Sequence, residues 1–196
     1  TPSPVKICAE KFGIRVVQPA KLGPTKESLT GTSLKPDLFI VASYGKILPA
    51  DILKIPQYGV LNVHPSLLPK YRGPSPLQTA ILNGDEETGV TIMLVDEKMD
   101  HGPILAQNKF SIFNSQFSNP TYTQLHDKLA EIGGELLIKI IPQWVEGKIK
   151  PIVQEESKAT FTKIFKKEDG KINWTKSAKE IEQQVRDAEA RVLVAL

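Results

Sequence analysis

Asn62 and His64 stand two residues apart in the apolar run Gly59–His64 (GVLNVH), and an acidic loop, Asp96–Gly102 (DEKMDHG), lies further along the chain. In a β-strand, residues two apart project to the same face, so the amide and the imidazole share one surface. With Asp100 they form a set that can do three jobs. The amide can donate to a developing oxyanion, the imidazole can move a proton, and the carboxylate can orient or charge-pair the imidazole. None of this needs a nucleophile from the protein. Ser66 follows closely, but its neighbours Leu67-Leu68-Pro69 do not build the G-x-S-x-G elbow. A metal-dependent hydrolase on His64, Asp100 and His101 is a different chemistry for the same region. Catalytic zinc takes three protein ligands, however, and no H-E-x-x-H spacing occurs. His101 reads instead as a solvated turn residue, and His126 as a surface residue.

These side chains need strands to carry them and helices to cover the strands. Ser3 and Pro4 predict a capped first helix that stops at Gly13, followed by a short apolar run, Arg15–Gln18. Continuous apolar runs at Asp37–Ala42, Gly59–His64 and Thr88–Val95 read as strands covered on both faces. Helical stretches fall at Pro49–Lys54 and Pro74–Leu82, the latter closed by Asn83-Gly84. From Gln124 to Val145, apolar residues recur every three or four positions, which marks an amphipathic helix. A last one is predicted over Ser177–Val185. Strands alternating with helices predict an α/β fold with a mostly parallel open sheet. Ligands of such sheets bind where strand ends converge, here Ser43-Tyr44-Gly45, Asn62–His64 and Asp96–Gly102.

Composition narrows the class. The 196 residues are 40% apolar and 24% charged, with net charge +3, which fits a globular chain and excludes a disordered or collagen-like one. No apolar run reaches the roughly 18 residues of a spanning helix. A single cysteine, Cys8, excludes an intrachain disulfide and a zinc site of several thiolates, and its apolar neighbours suggest a small core residue. Composition shifts near Lys148. Beyond it, six lysines between Lys158 and Lys176 face only Glu168 and Asp169, a net +4 that suits an interdomain linker. The opening Thr1-Pro2-Ser3-Pro4 reads as a chain that starts inside a fold.

The stretch Asn62–Gly73 (NVHPSLLPKYRG), continued by Pro74-Ser75-Pro76-Leu77-Gln78, resembles the signature of the 10-formyltetrahydrofolate-dependent formyltransferases. Ser43–Pro49 (SYGKILP), Glu87–Met93 (ETGVTIM) and Asp96–Gly102 match that family in order and spacing. Pro151–Glu155, Lys163–Lys167 and Ile172-Asn173-Trp174 are similar to the branch that acts on methionyl-tRNA. The resemblance implies a Rossmann-like catalytic domain over residues 1–150, and over 151–196 a linker leading to a C-terminal domain. It implies that Asn62 holds the formyl oxygen, that His64 assists proton transfer, and that Asp100 completes the set. Ser66, Leu67, Leu68 and Pro69 would contact the folate. Lys46, Ile47 and Leu48, with Val95 and Asp96 in the Val95–Asp100 loop, would line the pterin pocket. The donor would be 10-formyltetrahydrofolate, with no metal. The acceptor would be initiator methionyl-tRNA, or, on the alternative reading, glycinamide ribonucleotide or an amino-sugar nucleotide. The implied protein is a monomer off the membrane, in bacterial cytoplasm or the mitochondrial matrix.

Against the family pattern, the first strand with its glycine-containing loop and the C-terminal barrel are expected to be missing from this chain. Glu189–Leu196 (EARVLVAL) does not follow the family's Asn-Pro-Trp-Pro continuation. Pro65 stands where many members acting on tRNA carry glycine, and where relatives acting on glycinamide ribonucleotide carry proline.

Overall fold

A computed structural model describes residues 2–19, 36–112 and 119–188. Helix α1 spans Pro4–Lys11, with the Ser3 hydroxyl accepting from the Lys6 amide at 3.3 Å and Gly13 at φ 67 just past its end. None of its residues is buried, and Val5, Ile7 and Phe12 are exposed. Cys8, expected in the core, is therefore exposed too, because its helix lays no face on the sheet. The run Arg15–Gln18 forms no strand. The tail from 189 lies outside the described residues.

Among the described residues, four strands, β1 (Phe39–Val41), β2 (Val60–His64), β3 (Glu87–Leu94) and β4 (Ile104–Ser111), form one open sheet in chain order. Helices α2 (Ala50–Leu53), α3 (Pro76–Asn83), α4 (Tyr122–Val145) and α5 (Ala178–Ala188) flank it. The open sheet with flanking helices is as expected, but the strand directions are mixed. Only β1 and β2 run parallel; β2–β3 and β3–β4 are antiparallel. The register explains why. Thr91 lies opposite His64, so β3 enters beside the carboxyl end of β2 and runs back along it. The Pro65–Ser75 loop and the two-turn helix α3 return the chain to the same sheet end, where a parallel crossover would have spanned the sheet. Strand β4 was not predicted, because its middle, Gln107-Asn108-Lys109, is exposed and breaks the alternation that marks a half-buried strand.

Alternation along β2 separates core from site. Leu61 and Val63 turn toward α4, where they pack among Val90, Ile92, Leu105, Leu129 and Ile140. Val60 packs on the other side with Leu48 and Ile52, and Asn62 and His64 share that side. Gly133 lets α4 lie close: a Cβ there would stand 2.9 Å from Val63 Cγ1. Helix α4 begins two residues before the expected Gln124, because Thr121 and Gln124 form a reciprocal capping box. At its far end, Trp144 Nε1 donates to the Tyr58 carbonyl at 2.8 Å, tying the helix to the entrance of β2.

Residues beyond 150 pack on this unit. Ile152 bridges to Ile104 and Phe161 to Arg72, while α5 lies against α3 and α4. No helix among the described residues is long and apolar enough to cross a membrane.

Candidate active site

Asn62, His64 and Asp100 converge as expected, though by another route than strand ends pointing the same way. Strand β3 ends opposite Leu61, at the amino end of β2, so the loop that follows it must fold back over the sheet face. It brings the Asp100 carboxylate between three groups. Asn62 Nδ2 donates to Oδ1 at 3.4 Å, the Gly73 amide donates to Oδ2 at 2.8 Å, and His64 Nδ1 lies 3.7 Å from Oδ2. Gly73 sits at φ 109, and a Cβ there would stand 2.8 Å from Thr162 Oγ1, so only glycine can present its amide this way.

The tautomer of His64 follows from its other nitrogen. Nε2 lies 2.9 Å from the Tyr71 carbonyl, which can only accept, so Nε2 carries the hydrogen and donates. In the neutral ring, Nδ1 therefore turns a lone pair toward Asp100. Burial is the largest influence on this ring and lowers its pKa from 6.5, opposed by the Asp100 charge and the Tyr71 hydrogen bond. The result is an imidazole held neutral at neutral pH, with a carboxylate placed to stabilise the cation once a proton arrives.

A cavity of about 430 Å³ opens on this set, within the range of small-ligand pockets. Its walls include Lys46, Ile47, Leu48, Val95 and Asp96, all expected there, together with Asn62, His64 and Asp100. Met99, from the same Val95–Asp100 loop, lines it too, while Gln78, Tyr122 and His126 also line it and were not assigned to it from sequence. His126 is exposed at the cavity wall, with its ring stacked on Tyr122 at 5.9 Å between centroids.

Ser66, Leu67, Leu68 and Pro69 do not line this cavity. Their backbone is drawn onto the sheet instead. Thr91 Oγ1 donates to the Ser66 carbonyl at 2.6 Å and accepts from the Leu68 amide, and Gln107 Nε2 donates to the Leu68 carbonyl at 2.8 Å. Leu68 is buried with Met93 and Ile104, and the Ser66 hydroxyl donates to the Lys70 carbonyl at 2.6 Å. These four residues fix the loop that delivers Tyr71 to His64 and Gly73 to Asp100.

His101 is not a free turn residue: Nδ1 lies 2.6 Å from Asp96 Oδ2 and Nε2 lies 3.8 Å from Glu156. Both nitrogens thus face carboxylates other than Asp100, and the His64–Asp100–His101 metal set is not assembled. Arg72, 1% exposed, has no role assigned from sequence although it lies in the stretch Asn62–Gly73. Its guanidinium donates to both Glu156 oxygens at 3.0 Å and to Gln154 Oε1 at 3.1 Å. Thr160 and Thr162 also reach the 71–75 loop: Thr160 Oγ1 accepts from the Tyr71 amide at 2.8 Å, and Thr162 Oγ1 from the Ser75 amide at 3.1 Å.

Residues 2–141 match the family described as Formyl transferase. The methionyl-tRNA formyltransferase of Bacillus cytotoxicus is 46% identical over 186 residues, and that of a Bacillus cereus strain is 45% identical. Each alignment covers 95% of this chain but 58% of the relative, so the chain spans little more than half their length. Among solved structures, an N-formyltransferase from Helicobacter canadensis, in complex with folinic acid and dTDP-3-aminofucose, superposes with TM-score 0.69 at 26% identity. It covers 91% of this chain and 61% of that one. HypX from Aquifex aeolicus, in complex with tetrahydrofolic acid, shares the fold with TM-score 0.68 at 23% identity, over 81% of this chain and 27% of its own.

Proposed function

The chain belongs to the formyl transferase family, and on that premise we propose that it is the catalytic portion of an enzyme that formylates initiator methionyl-tRNA from 10-formyltetrahydrofolate. The observation that carries the reading is the meeting of Asn62, His64 and Asp100 at the wall of one cavity. Its lining, with the aliphatic surfaces of Leu48 and Val95 and polar groups from Lys46 and Asp96, suits a partly polar ligand. These residues would hold the folate. When bound, it supplies a formyl carbonyl open to attack by an amine.

The chain's own groups divide the work. Asn62 Nδ2 carries two hydrogens, one directed at Asp100, and the amide donates to the oxygen that gains charge as the carbonyl carbon becomes tetrahedral. His64 Nδ1 takes the proton that the α-amine sheds on bonding to the formyl carbon, and can return it to the donor nitrogen as the carbon–nitrogen bond to the donor breaks. Asp100 stabilises the resulting imidazolium from 3.7 Å, and the Tyr71 carbonyl keeps the other nitrogen in register. The acceptor assignment draws support from the methionyl-tRNA formyltransferase relatives that align along 95% of this chain, and from the lysine-rich segment 158–176.

The test uses the full-length protein and 10-formyltetrahydrofolate with three acceptors in turn: methionyl-tRNA, glycinamide ribonucleotide and a dTDP-amino sugar. Formyl transfer to methionyl-tRNA is expected to dominate in kcat/KM. Preferred transfer to the ribonucleotide or the sugar overturns the acceptor, and transfer to none of the three overturns the reaction.

A further inference from the structure

Gln154 lies outside the cavity, is 7% exposed and has every polar atom engaged. Its Nε2 donates to the Asp100 carbonyl at 2.9 Å and the Gly102 carbonyl at 2.8 Å, and its Oε1 accepts from Arg72 Nε at 3.1 Å. One side chain thus joins three pieces of chain: the segment after residue 150, the Arg72-Gly73 corner and the turn that carries Asp100. That turn is strained. Asp100 stands at φ 48, in the left-handed region that side chains seldom adopt, and such conformations persist only where the surroundings hold them. The two bonds from Gln154 supply that hold on the backbone, and the Gly73 amide supplies it on the carboxylate.

We infer that Gln154 is a positioning residue for the formyl-transfer reaction: it fixes the Asp100 turn so that the carboxylate faces His64 Nδ1. The inference rests on the proposed reading of His64 and Asp100 as the proton-handling pair. A ligand-binding role for Gln154 is not available, since its two hydrogens and its oxygen are already committed. Arg72 and Glu156 hold the same segment down, so Gln154 sits in a preset place and transmits it to the turn.

The experiment compares wild type, Gln154→Met, Asp100→Asn and the double variant in the full-length protein. It reads kcat, KM for 10-formyltetrahydrofolate, and the titration of the His64 ring by NMR. Methionine fills a similar volume without donor or acceptor. Gln154→Met is expected to lower kcat by up to about 10²-fold, the scale of a small misplacement of a reacting group, with KM little changed. His64 is expected to titrate at lower pH, as in Asp100→Asn, because both changes remove the carboxylate from its side. Adding Gln154→Met to Asp100→Asn is expected to cost little further kcat, since the two act as a unit. Should Gln154→Met fail to fold, Gln154→Glu keeps the acceptor for Arg72, removes both amide donors to the turn, and carries the same expectation for kcat and KM. Wild-type kcat and His64 titration in the Gln154 variant, beside an impaired Asp100→Asn, overturn the inference alone and leave Gln154 a structural brace. Losses that multiply in the double variant overturn it as well. Wild-type turnover in Asp100→Asn overturns the underlying reading, and the inference with it.

Discussion

Adjacent glycines on α4 offer a controlled test of how tightly that helix governs β2. A Cβ at Gly134 would meet nothing within 4 Å, whereas one at Gly133 would stand 2.9 Å from Val63 Cγ1 and 3.4 Å from Val90 Cγ1. Replacing glycine by alanine inside a helix gains up to about 1 kcal/mol at either position. At Gly133 the added methyl must also displace Val63, a β-branched side chain with one strongly preferred rotamer. Overpacking of that kind costs typically about 1–3 kcal/mol. Gly134→Ala is therefore expected to stabilise by up to about 1 kcal/mol, while Gly133→Ala comes out between neutral and about 2 kcal/mol destabilised. Urea denaturation of both variants gives the comparison directly. Val63 lies between Asn62 and His64, so Gly133→Ala is also expected to lower turnover, and Gly134→Ala to leave it alone. Adding Val63→Ala to Gly133→Ala makes room for the methyl and is expected to cost less stability than Val63→Ala does alone. A Gly133→Ala protein as stable as Gly134→Ala would refute the close approach of α4 to β2.

Asn62→Ala, in the full-length protein, is expected to cut kcat by about 10²–10³ with folate affinity little changed, as for one lost oxyanion donor. Equilibrium binding and steady-state rates check both halves. His64 supplies a pH dependence with a definite sign. Its folded pKa lies below 6.5, so as pH falls past 6.5 the unfolded chain gains a proton that the native chain resists, and stability drops. His64→Gln is expected to remove that component, which unfolding curves at pH 7 and pH 5 would reveal; an unchanged difference between the two would count against a depressed His64. Replacing Lys163, Lys166 and Lys167 by Gln in the full-length protein is expected to weaken methionyl-tRNA binding and flatten its salt dependence, leaving folate affinity unaltered. Lys163 pairs with Asp169, so its share should be the smallest of the three.

The residues proposed to react could be read from sequence because each rests on a local rule. Asn62 and His64 follow from the period of a strand, and Asp100 from an acidic turn beside a glycine. What positions them could not be read so easily. Strand directions depend on where the Pro65–Ser75 loop returns the chain, and apolar runs look alike in either direction. Ser66–Pro69 form a conspicuous motif, yet their backbone is spent on Thr91 and Gln107, partners 16 to 39 residues away from one another or from the loop. Strand β4 hides because its exposed middle is polar. Gln154, Thr160 and Thr162 carry no signal beyond lying in or just after the run Pro151–Glu155, since nothing local says that a glutamine will meet a turn 54 residues earlier. Cys8 misled for the opposite reason: apolar neighbours foretold a core, and the helix that holds them stays on the surface.

The strap after residue 150 also bears on how the protein is born. The four strands among the described residues are complete by Ser111 and α4 by Val145, and strand neighbours in the sheet are neighbours in the chain, so the sheet can pair as it leaves the ribosome. The bonds that brace the Arg72–Ser75 corner reach forward 82 to 90 residues, and those on the Asp100 turn come from Gln154. A nascent chain released as far as α4 thus has its sheet, its imidazole and the Asn62 and Gly73 donors to the Asp100 carboxylate, but not the two bonds by which Gln154 holds the backbone of that turn. The braces on that turn and on the Arg72–Ser75 corner arrive with residues 154 to 162, after the sheet and α4 have been made.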